Sequence, residues 1–296
     1  MIDLSIIIIS YNTKNILLDC VGSIKGSIYG VKLNIEIIIV DNFSTDGSAE
    51  ALRREYPDVI LIQNKENVGF SKANNIGIKK AKGRYILFLN SDTIVYKKTL
   101  ETMVEFMDKN EAAGAATCKV IMPDGKLDDA SHRGFPTPIN SLFYFSGLSK
   151  LFPKSKRFAG YNLSYMDLNA THEIDACAGA FMIVRRQAGE KIGWWDEDFF
   201  WYGDDLDFCY RLKKAGYKIY YVQEVKILHY KGVSGGIKDS SKHLSSADKE
   251  TKKQAQEARF EAMRIFYNKH YKKLYPNFVT WLIYGGIDLK EWMSSR

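Results

Sequence analysis

"LSIIIIS", Leu4–Ser10, is apolar without a break and rich in β-branched residues. A strand with one wet face alternates apolar and polar side chains; an unbroken run marks a strand covered on both faces. The same pattern recurs in "IEIIIVD" (Ile35–Asp41), "VILIQN" (Val59–Asn64) and "YILFL" (Tyr85–Leu89). Between these runs lie three helical stretches. The first covers roughly Lys14 to Gly26. The second, "STDGSAEALRREYP", opens on capping residues and stops at Pro57. The third, "SKANNIGIKKAKG" (Ser71–Gly83), closes on a glycine. Strand and helix in alternation, with short links, predict an α/β fold with a Rossmann-like, mostly parallel central sheet and helices on both faces.

Open sheets of this kind bind ligands beyond the carboxyl ends of their strands. Three of those ends are polar: Ser10-Tyr11-Asn12, Asp41-Asn42 and Asn90-Ser91-Asp92. The pattern loosens from Met122 to Ile174, where "HRGFPTPINSLFYFSGLSKLFPKSKRF" mixes Gly, Pro, Ser and aromatics; long irregular segments in compact domains are usually functional or mobile. Order returns in "GAFMIVRR" (Gly179–Arg186), a strand, and in "GDDLDFCYRLKKAGYK", a helix opened by acids and closed by Gly216. "IYYVQEVKILHYKG" supplies one or two more strands, and the chain turns helical and polar from about Ser245 to His270.

Composition narrows the classes. A chain of 296 residues, 46% hydrophobic and with six prolines, suits one large domain or a domain with an appendage. Its four cysteines stand far apart with no CxxC pair, which points to a reducing compartment rather than a zinc site or a disulfide framework. "LSIIIIS" is too short and lacks the basic leader of a secretion signal, and no run reaches the ~18 apolar residues of a membrane span. The expected location is the cytoplasm or the cytoplasmic face of a membrane. The net charge is +7, and residues 238–296 hold twelve Lys/Arg against seven Asp/Glu. No nucleic-acid motif accompanies this charge. A dehydrogenase would carry GxGxxG after its first strand, where this chain has "SYNTKN"; a Walker loop and the Gly-rich first loop of a nucleotidyltransferase are also missing.

Taken in order, "SIIIISYN", "IIIVDNFSTDGS", "NVGFSKANNIGIKKAKGRYILFLNSDT", "GAFMIVRR", "WWDEDFFWYGDDLDFCYR" and "HYKG" resemble the signatures of family 2 glycosyltransferases, especially the rhamnosyltransferase-like branch, over about residues 4–236. The resemblance implies a GT-A fold over residues 1–237, followed by a basic helical extension over 238–296. It implies a nucleotide-sugar donor, a Mn²⁺ or Mg²⁺ ion, a glycan acceptor and inversion at the anomeric carbon. The nucleoside would be held at Ser10, Tyr11, Asn12, Asp41 and Asn42, and the ribose and donor sugar around Asn67, Gly69 and Asn74, with Asn90 and Ser91 also among the donor-binding residues. Asp92 matches the metal-binding acid of the family's Asp-x-Asp motif, but here the first acid is Asn90. One carboxylate with two diphosphate oxygens can still hold such an ion, because these ions keep substrate oxygens and waters as ligands. His229 matches a position that can contact metal or diphosphate, and imidazole suits Mn²⁺ better than Mg²⁺; it can equally be a satisfied polar group at a strand end.

Asp204 and Asp205 open a helix, where acids cap the backbone and favour the dipole. By the resemblance Asp205 is the base and Asp204 its supporting acid. Adjacent helical residues point about 100° apart, so one of the two faces the acceptor. Asp207 shares the face of Asp204 as a structural or acceptor-binding group. Trp194, Trp195 and Asp196 resemble a stretch lining the acceptor site, although paired tryptophans also make core. The tail helix, with an apolar stripe at Ala258, Ala262, Ile265 and Phe266, either packs on the catalytic domain or rests a basic, aromatic patch on anionic lipid. A fold retained without chemistry, as a nucleotide- or glycan-binding module, is the alternative that the weakened metal motif leaves open.

Overall fold

The computed structural model describes residues 1–232 and 249–294; the expected boundary between residues 237 and 238 lies outside them. β1 (Leu4–Ser10) runs through the middle of one half of the sheet, with β2 (Ile35–Asp41) on one side and β4 (Tyr85–Asn90) on the other. Both pairings are parallel, and Leu4 stands opposite Ile35 and Tyr85. β3 (Ile60–Gln63) extends the sheet beyond β2, also parallel. This register brings Ser10 level with Asp41, and Ile9 level with Asn90, so the polar strand ends reach one edge together.

Burial explains the unbroken apolar runs. Leu4, Ile6 and Ile8 point under α1 (Lys14–Ile28) and meet its Leu17, Cys20, Val21 and Ile24. Ile7 points to the other face, into a second core shared with Ile78 at the end of α3 (Phe70–Ile78). Each such side chain contributes about 1.5–3 kcal/mol when fully removed from water. α3 stops at Ile78, short of the expected Gly83, because Gly83 has another task. Its amide donates to Ser5 Oγ at 2.7 Å, and a Cβ there would lie 2.5 Å from the Ser5 nitrogen. Gly83 therefore lets the chain cross close beside β1 rather than capping a helix.

The rest of the sheet departs from simple alternation. β5 (Thr93–Val95), α4 (Thr99–Lys109) and β6 (Ala113–Ile121) follow β4. The loosely patterned segment after β6 contains α5 (Pro138–Phe145), α6 (Leu148–Leu151) and the short β7 (His172–Ile174). β8 (Phe181–Arg185) inserts antiparallel between β4 and β6. α7 (Arg186–Ile192) and α8 (Asp204–Lys214) lead to β9 (Lys218–His229), one long strand with a pairing irregularity opposite Cys118 and Lys119. The sheet order is β3-β2-β1-β4-β8-β6-β9-β5, with β7 also paired to β9. Among the described residues it is a nine-stranded, mostly parallel sheet in which β5, β7 and β8 run against the others.

Within the described residues the tail helix α9 begins at Lys249 and runs to His270; α10 (Asn277–Ser294) folds back along it. Ala262, Phe266 and Tyr267 bury against Phe199 and the partly buried Tyr210, so the apolar stripe of α9 packs on the sheet-bearing body. Asp207, fully buried on α8, accepts a bond from Arg211 Nε at 2.7 Å and sits 2.7 Å from His270 Nε2 of α9. It ties the tail to the body. Among the described residues no helix is long and apolar enough to cross a membrane.

Candidate functional site

The loops after β1, β2 and β3 are locked by their own side chains. Asn12 adopts a left-handed backbone (φ 52°), which Asn tolerates better than most residues, and its Oδ1 accepts from Thr45 N at 2.8 Å. Asn12 N donates to Ser44 Oγ at 2.9 Å, and Ser44 N donates to Asp41 Oδ1 at 3.2 Å. Buried Asn42 is the hub of the next layer: its amide donates to Asn67 Oδ1 at 2.7 Å, while its Oδ1 accepts from Asn64 Nδ2 and Val68 N. Ser10, Thr13 and Ser91 join hydroxyl to hydroxyl at 3.2 and 3.3 Å, coupling the end of β1 to the loop after β4. Asn74 is spent on Phe70 O at 3.0 Å, one turn back on α3. Gly69, at φ +81°, is required twice over: a Cβ would lie 2.6 Å from the Phe200 ring and 2.8 Å from its carbonyl oxygen. Tyr11 sits half-buried in the loop after β1.

Asp92 lies where β4 passes into β5. Antiparallel pairing of β5 with β9 sets Thr93 opposite His229, and Tyr230 N donates to Asp92 O at 2.9 Å. That register carries His229 to the end of β4, with its Nε2 3.2 Å from Asp92 Oδ1 and 3.4 Å from Asn90 Nδ2. Behind the ring, Nδ1 donates to Asp128 Oδ2 at 2.8 Å, and the other Asp128 oxygen takes Lys231 Nζ and Ala130 N. Asp92, His229 and Asp128 are all buried. Burial alone would lower the imidazole, but the Asp92 charge and the bonds to both carboxylates prevail and lift it to about 9. Burial would raise Asp128, yet His229 and Lys231 hold it well below the carboxylate range. Asp128 falls in "KLDDAS", within the loosely patterned segment, and no local spacing in the sequence distinguishes it.

The oxygen of Asp92 and the ring nitrogen of His229 are separated by the distance expected of neighbouring ligands that each stand ~2.1 Å from one ion. Among the described residues no three His, Cys, Asp or Glu groups converge on one point, so an ion here would draw its other ligands from substrate and water.

The second acidic group stands at the start of α8. Asp205 Oδ2 accepts from Arg133 Nη2 at 2.6 Å, an ion pair with both side chains mostly buried. Asp204 turns the other way into the body, as expected for neighbours on a helix, and its Oδ2 has no partner among the described residues. Burial, then the charge of Asp205, push the Asp204 carboxyl well above the usual range. The stretch before β8 links the two acidic groups. Asn90 N donates to Ala180 O at 3.2 Å, Arg133 pairs with Ala176, and Cys209 Sγ of α8 approaches Cys177 O at 3.7 Å.

Of the three residues expected to line the acceptor site, Trp195 is core, while Trp194 and Asp196 are partly exposed. Trp195 is buried, edge-on to Phe88 and Phe70 and tilted against Phe208. Asn75 fixes that turn, donating to Trp195 O at 2.9 Å and accepting from its amide at 3.2 Å. Trp194 packs over Gly189, where a Cβ would lie 2.1 Å from the indole. Asp196 pairs with Lys269 of α9. Apolar packing and a cross-tie to the tail engage these three residues, which hold the loop before α8.

Residues 5–193 match the family model for glycosyl transferase family 2; Asp204, Asp205 and His229 lie beyond the matched stretch. The chain is 26% identical over 228 residues to N-acetylglucosaminyl-diphospho-decaprenol L-rhamnosyltransferase of Mycobacterium tuberculosis, covering 73% of each chain. It is 31% identical over 171 residues to rhamnosyltransferase WbbL of Escherichia coli K12, covering 55% of this chain and 61% of that protein. The solved structure of GalNAc-T7 with UDP, GalNAc and Mn²⁺ shares the fold at a TM-score of 0.56 and 18% identity; it is matched over 77% of this chain, which spans 44% of that one. A family match over more than half the sequence, on a GT-A-like α/β body, makes this chain a member of glycosyl transferase family 2.

Proposed function

We propose that the protein is an inverting, metal-dependent glycosyltransferase. It moves a sugar, rhamnose from dTDP-rhamnose or a hexose from a UDP-sugar, to a lipid-linked glycan acceptor in bacterial surface polysaccharide synthesis. Its working place is then the cytoplasmic face of the membrane, with residues 1–237 as the catalytic unit and 238–296 as an extension. The observation that carries the proposal is the pairing of two acidic centres joined through the stretch Ala176–Ala180: Asp92 with His229 at the end of β4, and Asp205 with Arg133 at the start of α8. The relatives named as rhamnosyltransferases support the sugar, and the decaprenol-linked substrate in one of their names supports the acceptor class.

Asp92 and His229 would hold Mn²⁺ or Mg²⁺, which when bound neutralises the charge growing on the departing diphosphate. Tyr11 and Asp41 would hold the nucleoside, on loops kept in shape by the Asn42 hub. Asp205 takes the proton of the acceptor hydroxyl as its oxygen bonds to the anomeric carbon, while the bond from that carbon to the diphosphate breaks on the opposite face. Arg133 fixes the direction of the Asp205 carboxylate.

A donor panel read by nucleoside diphosphate release, with and without Mn²⁺, tests the proposal. One donor should turn over, and Asp205→Asn should cut turnover by at least about 10²-fold, with metal-dependent nucleotide binding by calorimetry kept within a few-fold. Binding of nucleotide without release from any donor would leave a non-catalytic module of the same fold, and full turnover by Asp205→Asn would remove Asp205 as base.

A further inference from the structure

α10 is amphipathic in the opposite sense to an ordinary surface helix. Its polar side chains turn inward to α9: Asp288 and Glu291 pair with Arg264, Thr280 bonds Tyr267 Oη at 2.9 Å, and Tyr284 Oη donates to Asn268 at 2.6 Å. Ile283 packs against the body, but most of the other apolar side chains turn outward. Phe278, Trp281, Leu282, Leu289 and Met293 are 67%, 77%, 61%, 57% and 65% exposed, and no residue of the helix is buried. With Gly285 and Gly286, beside which a Cβ would meet nothing within 4 Å, these positions form one stripe at three- and four-residue spacing without a charge.

A second apolar island adjoins the first. Ile139, Leu142 and Phe145 of α5, and Leu151 and Phe152 around α6, are exposed, and Lys290 of α10 stands 3.8 Å from the centre of the Phe145 ring. Basic side chains border both islands. Residues 134–166 contain no acid, and Lys150, Lys154, Lys156 and Arg157 are exposed there, as are Lys272 and Lys273 just before α10.

We infer that the α10 stripe and the α5–α6 island form one docking face for an anionic lipid bilayer, with α10 lying in the plane of the headgroups. An exposed apolar stripe with tryptophan on it and lysines at its margin is the pattern of an interfacial helix. The lysines fit a surface rich in acidic lipid. A second copy of the chain fits less well, since a symmetric pairing of this face would set the two basic margins against each other. The tail thus meets lipid through α10, and not through α9, whose apolar stripe is covered. The inference deepens the proposed lipid-linked acceptor by naming how the enzyme would reach it.

The test is flotation of the full chain with vesicles of phosphatidylglycerol and phosphatidylcholine, or of phosphatidylcholine alone. The wild type should partition at least tenfold better onto the acidic vesicles. Trp281→Gln with Leu289→Gln should lose at least tenfold of that partition while its melting temperature stays within a degree or two, because both side chains face water. A wild type that fails to float, a double variant that floats as well, or a concentration-dependent dimer abolished by the double variant would each overturn the inference. The assay contains neither donor nor acceptor, so it stands or falls separately from the transfer reaction.

Discussion

Replacing Asp128 by Asn keeps the shape of the side chain and removes its charge, which isolates what the charge does. Asp128 is fully buried between His229 and Lys231. Breaking a buried pair by removing one partner costs about 3–5 kcal/mol. The Lys231 side chain is 24% exposed and can turn to water, which places the cost near the lower end, at about 3 kcal/mol. At ~2.1 cal/mol/K of unfolding entropy per residue, a chain of this length loses about 5 °C of melting temperature. The pH dependence is the sharper readout. His229 is lifted to about 9 in the folded protein and returns to ~6.5 when unfolded. A raised group stabilises fully below its unfolded value and ceases to do so as pH climbs through its folded one. The wild type should therefore lose about 3 kcal/mol between about pH 6.5 and 9. Asp128→Asn, with Asp92 as the one carboxylate left beside the ring, should lose less. Scanning calorimetry in EDTA from pH 6 to 9.5 reads both. A gap under 1 °C at pH 6.5, or one that fails to narrow toward pH 9, would refute the assignment of Asp128 as the charged support of His229.

Two further substitutions separate ligand from scaffold. Asp92→Ala should abolish Mn²⁺-dependent nucleotide binding by calorimetry, whereas Asn90→Ala, which removes an amide 3.4 Å from His229, should weaken it by no more than a few-fold; equal losses would make Asn90 a ligand. Asp207→Ala strands Arg211 and His270 in the interface with α9 and should cost about 3–5 kcal/mol, seen as early cleavage within α9 during limited proteolysis, while an unchanged digestion pattern would show the tail is held without it.

The parallel half of the fold was legible because β1, β2 and β4 are buried on both faces and therefore spell unbroken apolar runs. β6 was not. It reads "AGAATCKVI", with alanine and glycine where strand formers are expected, and it is a strand because β8 and β9 flank it. α10 carries two adjacent glycines and a run of aromatics, and neither the period nor the propensity of that ending declares a helix. The site divides in the same way. Asp92, His229 and Asp205 stand at element ends, where residues of that type signal chemistry. Asp128 and Arg133 sit in the loosely patterned segment after β6, and their partners come from β9 and α8. Such pairs arise from strand order, which local sequence does not carry. Trp195 shows the opposite error, a residue whose type suits a sugar ring but whose environment of Phe70, Phe88 and Phe208 makes it core.

The adjacent acids Asp204 and Asp205 have been separated by environment. Asp205 faces Arg133 and pairs with it. Asp204 points into the body, has an oxygen with no partner among the described residues, and is pushed well above the usual carboxylate range by burial and by the Asp205 charge. A neutral Asp204 leaves Arg133 one carboxylate of the adjacent pair to balance; two charges there would repel each other in a dry site. The neutral form of Asp204 is thus the one the fold accepts, and Asp204→Asn imitates it. That variant should retain transfer within about tenfold, where Asp205→Asn loses at least about 10²-fold. Its stability should also diverge from the wild type in a set direction. An acid whose folded value is raised binds its proton more tightly folded than unfolded, so wild-type stability falls as pH rises above ~4. The Asn side chain carries no such penalty, and Asp204→Asn should gain on the wild type from pH 4 upward in a urea titration series. A variant that loses transfer as completely as Asp205→Asn, or that falls further behind the wild type with rising pH, would mean that Asp204 works as a charged group and that the roles of the two acids are reversed.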